Sequence, residues 1–566
     1  MTRTIVLLLA SILLGCTSPT AAPSGASESR SADTGRAAAP KKITVTVAGD
    51  PHTLYQKFNP SSTVRGVEEL ELIVNAGLSV QDDKGIFRPQ LAEQVPSLEN
   101  GLWKLLPDGR METTWQLRDG AVWHDGTAVS PQDAIFAAVI GQDRDLPITR
   151  HSGLAMIETM EALDARTVVV RWKQPYIQAD RMFSAQMAPP LPRHLLEQAY
   201  ASDKGGFPNL PFWTEDFVGT GPFKIREFIR GSHMVLSAND RYVLGRPKLE
   251  TIEVRFIPDP TTLLANVLAG AADLALGRGL SLEQGLQARA QWREGKSEMV
   301  LASFVQVFPQ LLTPNPSVIG NADFRRALLQ AIDRQEMVDG IQSGVVPIAH
   351  VFVSPDQPEY RDIEAGVVRY EYDTRRATQM IEQLGFSKGT DGTFRSGSGQ
   401  PVHLELRATA GDLNQKTMFS VADYWRRLGL EPETVSVPPQ LAPDLEYRAT
   451  FPGFAVQRQG GDLDFLGNFH SSQARLPENR YAGNNNTRYM NPELDVQIDR
   501  YLSTIQRQAR MQTATEIVRH ITDLVVELPL YYDTQPALIA NRLVNVHPAG
   551  GNSQTAWNAH EWDVRV

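Results

Sequence analysis

The sequence predicts an α/β protein, and three observations carry that reading. Short runs of β-branched residues alternate in strand fashion, stretches with helical spacing lie between them, and in one place a helix, a glycine stop and a strand follow in order. Ile43-Thr44-Val45-Thr46-Val47, Val168-Val169-Val170-Arg171-Trp172 and Ile252-Glu253-Val254-Arg255-Phe256 are the strands, each bounded by turn residues. Phe324 to Ile332 places apolar residues at 324, 327/328 and 331/332, and Thr374 to Leu384 begins behind Asp373, a residue suited to capping a helix start. Met418 to Leu428 reads as a helix stopped by Gly429, and Leu430 to Val437 as an edge strand behind it. No internal repeat is visible.

Size and charge narrow the function. The chain has 566 residues and a formal charge of −10, enough for roughly three or four folding units of ~150 residues and not basic enough for a nucleic-acid binder. A single Cys excludes a disulfide framework and any multi-Cys metal site. The 11 His are dispersed, no two closer than 13 residues, and neither HExxH, GxSxG nor SxxK occurs. No cofactor is expected. An extracytoplasmic hydrolase would need a nucleophile or paired carboxylates, and no motif advertises either.

The N-terminus is a targeting segment. Ile5 to Leu14 is an apolar run of ten behind Arg3, too short to cross a ~30 Å hydrocarbon core and suited to a secretory signal over residues 1–15. Leu13-Leu14-Gly15-Cys16 resembles the lipobox of bacterial lipoproteins, in which the Cys is acylated and becomes the first mature residue, and the one Cys of the chain stands there. Residues 16–42 then form a lipidated Cys and a Ser/Ala/Pro/Gly-rich tether that cannot bury enough apolar area to order itself. No later run approaches ~18 apolar residues, so contact with the membrane is expected through the lipid alone.

Several segments, in order, resemble the family 5 solute-binding proteins of bacterial ABC importers, the group of oligopeptide, dipeptide and nickel binders. They are Phe58-Asn59-Pro60, Asn75-Ala76-Gly77-Leu78, Arg88 to Glu93, Trp115 to Gly120, Trp123-His124-Asp125-Gly126, Val218 to Phe223, Ala238 to Tyr242, Asp323 to Leu328 and Asn491-Pro492-Glu493-Leu494-Asp495. Most read as structural. Asp125-Gly126 is a turn dipeptide beside a core Trp, and Gly219-Thr220-Gly221-Pro222 lacks the Lys-Ser/Thr of a phosphate loop, which leaves a tight chain crossing.

The resemblance implies a two-lobed clamp of the type II periplasmic-binding-protein kind, with an extra α/β domain inserted in lobe I. Lobe I would comprise 43–75, 205–305 and 527–566, the insertion 76–204, and lobe II 306–526. It implies a monomeric receptor that is no enzyme, lipid-anchored outside the cytoplasm, passing a peptide or peptide-like solute to permease and ATPase subunits. A nickel or metal-chelate receptor, or a surface receptor without transport, is the alternative. Ligand-facing segments carry over to Thr63-Val64-Arg65 and to Gly453-Phe454-Ala455-Val456-Gln457. The Asp that holds a peptide amine in the family falls at Gln457, or at Asp462 in a shifted alignment. Arg65 could pair with a ligand carboxylate. Phe454 fits cleft wall or core, and strand alternation lets at most one of Tyr531 and Tyr532 line the cleft.

Cys16→Ser is expected to release the protein from membranes. Retention of that variant in the membrane fraction after a high-salt wash would refute the anchor.

Overall fold

The computed structural model describes residues 40–565, apart from 59–65, 147, 149–151, 410, 442–443 and 551–552. Cys16, the signal segment 1–15, most of the 16–42 tether, and Thr63, Val64 and Arg65 therefore lie outside the described residues. The chain first makes β1 (Lys42–Val47) and helix α1 (Val67–Val74). An antiparallel four-stranded sheet follows, built from β2 (Trp103–Leu105), β3 (Met111–Gln116), β4 (Ile157–Ala162) and β5 (Thr167–Trp172) in the spatial order β2–β3–β5–β4. Next come β6 (Phe223–Ile229), β7 (His233–Ala238), β8 (Thr251–Phe256), β9 (Leu274–Ala275) and the long β10 (Gly295–Pro309). Helices α2 (Ala322–Gln330) and α3 (Thr374–Gln383) lead to β11 (His403–Ala408), α4 (Asp412–Leu428), β12 (Glu431–Ser436), β13 (Phe454–Gln459) and finally β14 (Leu528–Ala540).

Local chemistry explains these elements. In β1 the residues Ile43, Val45 and Val47 are wholly buried, and the parallel register sets Ile43 beside Ile252 and Val45 beside Val254 of β8. Asp373 caps α3 by accepting the Arg376 N–H at 2.9 Å. Helix α4 begins six residues before Met418, where the apolar periodicity starts, and ends at Gly429 with φ 110°, a conformation that favours glycine. Strands β11 and β12 pair in parallel across α4, as a βαβ unit requires, and β12 is the sheet's outer strand, where Pro432 has no N–H to leave unpaired.

The two glycine motifs are structural. Gly126 turns the chain with φ 99° while Trp123 N donates to Thr127 O at 2.8 Å and the Trp123 ring is buried. At the crossing, Gly221 N donates to Val74 O at 3.1 Å, and a Cβ at Gly219 would lie 2.0 Å from the same oxygen. Only glycine allows so close an approach of two backbones.

The larger sheet has ten strands in the order β12–β11–β13–β10–β14–β9–β1–β8–β7–β6. Strands β10 and β14 run antiparallel from Gly295 opposite Ala540 to Val307 opposite Leu528, so each belongs to both halves of the sheet. One end packs in the core of Ile43, Val254 and Ile539; the other in the core of Val307, Phe454 and Leu528. Register shifts fall between Leu301 and Ser303 and between Val305 and Gln306, near the middle of the ladder.

Polar groups are buried at those shifts. Asp533 accepts from Gln342 Nε2 at 3.1 Å and pairs with Arg458 Nη1 at 3.0 Å. Glu527, immediately before β14, is wholly buried and faces the Gln306 amide, whose nitrogen in the orientation that satisfies both groups donates at 2.6 Å. Burial pushes the Glu527 carboxyl up to about 8 from its ordinary 4.5. The folded state thus keeps a proton that the unfolded chain releases above 4.5, and stability falls as pH rises from about 4.5 to 8. Glu527→Gln should remove that contribution. Urea midpoints at pH 5 and 8 are expected to show the variant gaining on the wild type by about 1 kcal/mol or more at the higher pH; equal slopes would refute the assignment.

Candidate functional site

A cavity of about 270 Å³ lies where the mid-section of β10 meets loops from distant parts of the chain. The turn Gln81–Gly85 and Arg181 approach from one side, Ser354–Glu359 and Asp462–Asp464 from another, and Pro548, Gly550 and Ser553 complete the wall. Met299, Val300 and Leu301 of β10 form its floor. They pair with β14 on one side, whereas pairing with β13 begins only at Phe304, so among the described residues this stretch has no strand partner on its other side; Gly550 packs against it, where a Cβ would lie 2.0 Å from Leu301 O.

The lining is unbalanced in charge. Asp83, Asp356, Glu359, Asp462 and Asp464 face Lys84 and Arg181. Arg181 is already engaged: its Nη1 donates to Asp464 Oδ2 at 2.9 Å, and its guanidinium stands 5.4 Å from the centroid of the Phe87 ring. Burial alone would lower the Arg181 pKa, but Asp464, Asp180 and Asp462 together outweigh it and hold the group above its usual range. The pair joins residues 283 positions apart across the cavity.

Asp462 is placed by backbone packing. A Cβ on Gly461 would lie 2.0 Å from Phe352 O, and Gln357 Nε2 donates to Gly461 O at 2.6 Å, which fixes the loop against the 352–357 segment. The Asp462 carboxylate then accepts the Asp464 N–H at 2.9 Å at the start of a short helix. Gln457 lies elsewhere. It stands opposite Gln306 in the β10–β13 ladder and lines a separate pocket of about 20 Å³ with Arg407 and Arg448.

The remaining sequence candidates pack inward. Gly453 passes close to β11, where a Cβ would meet Glu405 O at 2.3 Å. Phe454 is wholly buried with its ring centroid 4.8 Å from that of Trp425, and Ala455 and Val456 are buried beside it. Tyr531 and Tyr532 project to opposite faces, as alternation requires. Tyr531 sits in the core beneath α4 and meets the Thr417 hydroxyl. The Tyr532 hydroxyl is 2.8 Å from Val351 O and 2.7 Å from Val353 O, and its ring borders a small pocket that shares Leu301, Ser354 and Gln357 with the cavity.

Sequence reasoning missed Arg181, Asp464, the 81–85 turn, the 354–359 segment, and Pro548, Gly550 and Ser553. Asp464 lay two residues from a candidate. Arg181 has no local signal at all, since only the fold brings it to Asp464.

Comparison with known proteins gives the arrangement its context. Residues 87–474 match the family model described as bacterial extracellular solute-binding proteins, family 5 Middle. The chain is 23% identical over 575 residues to the oligopeptide-binding protein AppA of Bacillus subtilis (strain 168), covering 99% of each. AppA from Bacillus subtilis in complex with a nonapeptide superposes with a TM-score of 0.70 at 22% identity, over 93% of this chain and 100% of that one. NikZ from Campylobacter jejuni in complex with Ni(L-His) gives 0.71 at 19% identity, over 93% and 100%. The fold is thus the two-lobed type II periplasmic-binding-protein clamp that the sequence had suggested.

The Arg181–Asp464 pair is expected to favour closure of the cavity. Arg181→Gln and Asp464→Asn should each enlarge the radius of gyration of the unliganded protein in small-angle scattering, and the double variant should add little more. Profiles identical to wild type in both single variants would show that the pair contributes nothing to closure.

Proposed function

The chain belongs to the bacterial extracellular solute-binding proteins, family 5, and on that footing we propose that it captures a peptide or peptide-like solute in the cavity and delivers it to an ABC importer. One relative supports the solute class in two ways: AppA is by name an oligopeptide-binding protein, and its solved structure holds a nonapeptide. In this reading Cys16 carries the lipid anchor. Residues 43–75, 205–305 and 527–566 form lobe I, 76–204 the insertion and 306–526 lobe II, with β10 and β14 as the strands on which the lobes close.

The observation that carries the proposal is the stretch Met299–Leu301, which among the described residues has no strand partner on one side and lies beside an acidic wall. An extended main chain can hydrogen-bond along such an edge whatever its side chains, which gives affinity without strict sequence preference. Its ammonium end would be met by carboxylates, foremost Asp462, because a charged acceptor makes a stronger hydrogen bond to N–H⁺ than an amide does. Thr63, Val64 and Arg65 belong to the ligand-facing set on the resemblance alone.

Calorimetry on a peptide that co-purifies with the protein, free and N-acetylated, tests this. Acetylation should weaken binding to wild type by about 10- to 100-fold, the loss of one charge-assisted hydrogen bond of roughly 1.5–3 kcal/mol. Asp462→Asn should abolish the difference, and Gln457→Ala should leave it intact. Equal affinities for the two peptides in wild type would overturn the amine-anchoring role of Asp462.

A further inference from the structure

One wall of the cavity is the tip of a hairpin, held from inside by a buried carboxylate. The short strands Ser79–Gln81 and Phe87–Pro89 pair antiparallel with Gln81 opposite Phe87, and the loop between them brings Asp83, Lys84 and Gly85 to the cavity. Asp82 is not among the lining residues and is 2% exposed. Its Oδ1 accepts the Lys84 N–H at 3.0 Å and the Ile86 N–H at 2.8 Å, and its Oδ2 accepts from Arg88 Nε at 2.9 Å. The backbone adds Asp82 N to Ile86 O at 2.9 Å and Gly85 N to Asp82 O at 3.1 Å.

The base of the hairpin is fixed by a second polar contact. Gln186 offers its side-chain amide to both backbone groups of Gln81: Oε1 accepts the Gln81 N–H at 3.2 Å and Nε2 donates to Gln81 O at 3.4 Å. The Gln186 carbonyl in turn accepts from Lys57 Nζ at 3.1 Å, which ties the clamp to the segment before α1. A carboxylate taken out of water is costly unless hydrogen bonds replace its hydration, and two backbone N–H groups and a guanidinium do so here. Those bonds exist only while the turn keeps its shape. The hairpin also supports the Arg181–Asp464 pair, since the Arg181 guanidinium stands over the Phe87 ring.

We infer that Asp82 is a positioning residue of the solute site: by fixing the 82–86 turn it presents Asp83 and Lys84 to the solute in one arrangement. The inference rests on the reading of the cavity as the place where a peptide is held. A loop ordered before binding spares the complex the entropy of ordering it, so the gain appears as affinity although Asp82 touches no solute. What Asp82 supplies is geometry. Asn at this position keeps an Oδ1 acceptor for both N–H groups, whereas Ala leaves them without one. The Arg88 side chain is 55% exposed, so water can take its guanidinium when the carboxylate is gone.

Calorimetry on the co-purifying peptide, resynthesised, together with amide exchange of the full chain without peptide, tests the assignment. Asp82→Ala should bind the peptide about tenfold more weakly than wild type, and its Lys84 and Ile86 amides should exchange faster. Asp82→Asn should recover most of the affinity and of the protection at both amides. Gln186→Ala, at a half-buried position, should also weaken binding and carries the test if Asp82→Ala does not fold. Unchanged affinity in Asp82→Ala, or in Gln186→Ala should that variant alone fold, overturns the positioning role while leaving the peptide reading intact. Asp82→Asn as weak as Asp82→Ala would show that charge rather than turn geometry matters, and would overturn it too. Absence of saturable binding in wild type would instead refute the peptide reading, and the inference with it.

Discussion

Two neighbouring strands, Gly295–Pro309 and Leu528–Ala540, pass side by side through both halves of the ten-stranded sheet, and their ladder decides where everything else can stand. Each strand must satisfy its backbone groups along its whole length. Its ends are therefore committed to two separate cores, and the register shifts between Leu301 and Gln306 are left as the place where the ladder is least regular. The cavity opens beside this stretch because β13 begins to pair only at Phe304. A ligand lying there would touch strands that belong to both halves of the sheet, so its contacts can bias the angle between them.

Charge is distributed to match. Asp533 and Arg458 neutralise each other in the buried ladder, and Arg325 and Arg334 are absorbed by carbonyls. Excess negative charge is left to the cavity wall, where only Lys84 and Arg181 oppose five carboxylates. Such an excess is tolerated where an opposite charge can reach it.

Much of the fold was legible. Strands β1, β5 and β8 announce themselves by alternation, Asp373 and Gly429 bound their helices, and the Asp125-Gly126 turn and the Gly219–Gly221 crossing follow from what glycine alone can do. The site was much less so. Periodicity says that Phe454 and Gln457 face opposite sides of a strand but not which side meets a cavity. The walls come from 81–85, 354–359 and the residues Pro548, Gly550 and Ser553, loop positions that carry no helical or strand periodicity. That Asp462 lines the cavity while Gln457 does not depends on the close approach of Gly461 to Phe352, a contact between residues 109 positions apart in numbering.

The outer strand of the sheet carries Pro432, and at the far rim β6 is broken by a register shift between Ile225 and Glu227 and bears Lys224, Arg226 and Glu227. An open sheet of this width has two rims, each a template on which any extended chain could add itself, including a second copy of this protein. A missing N–H at one rim and a bulge with alternating charge at the other make such addition unfavourable. Under the proposed function, in which an extended chain is held by its backbone, strand addition would be confined to the cavity and discouraged at the two rims, so capture and self-association would be kept apart by the same sheet.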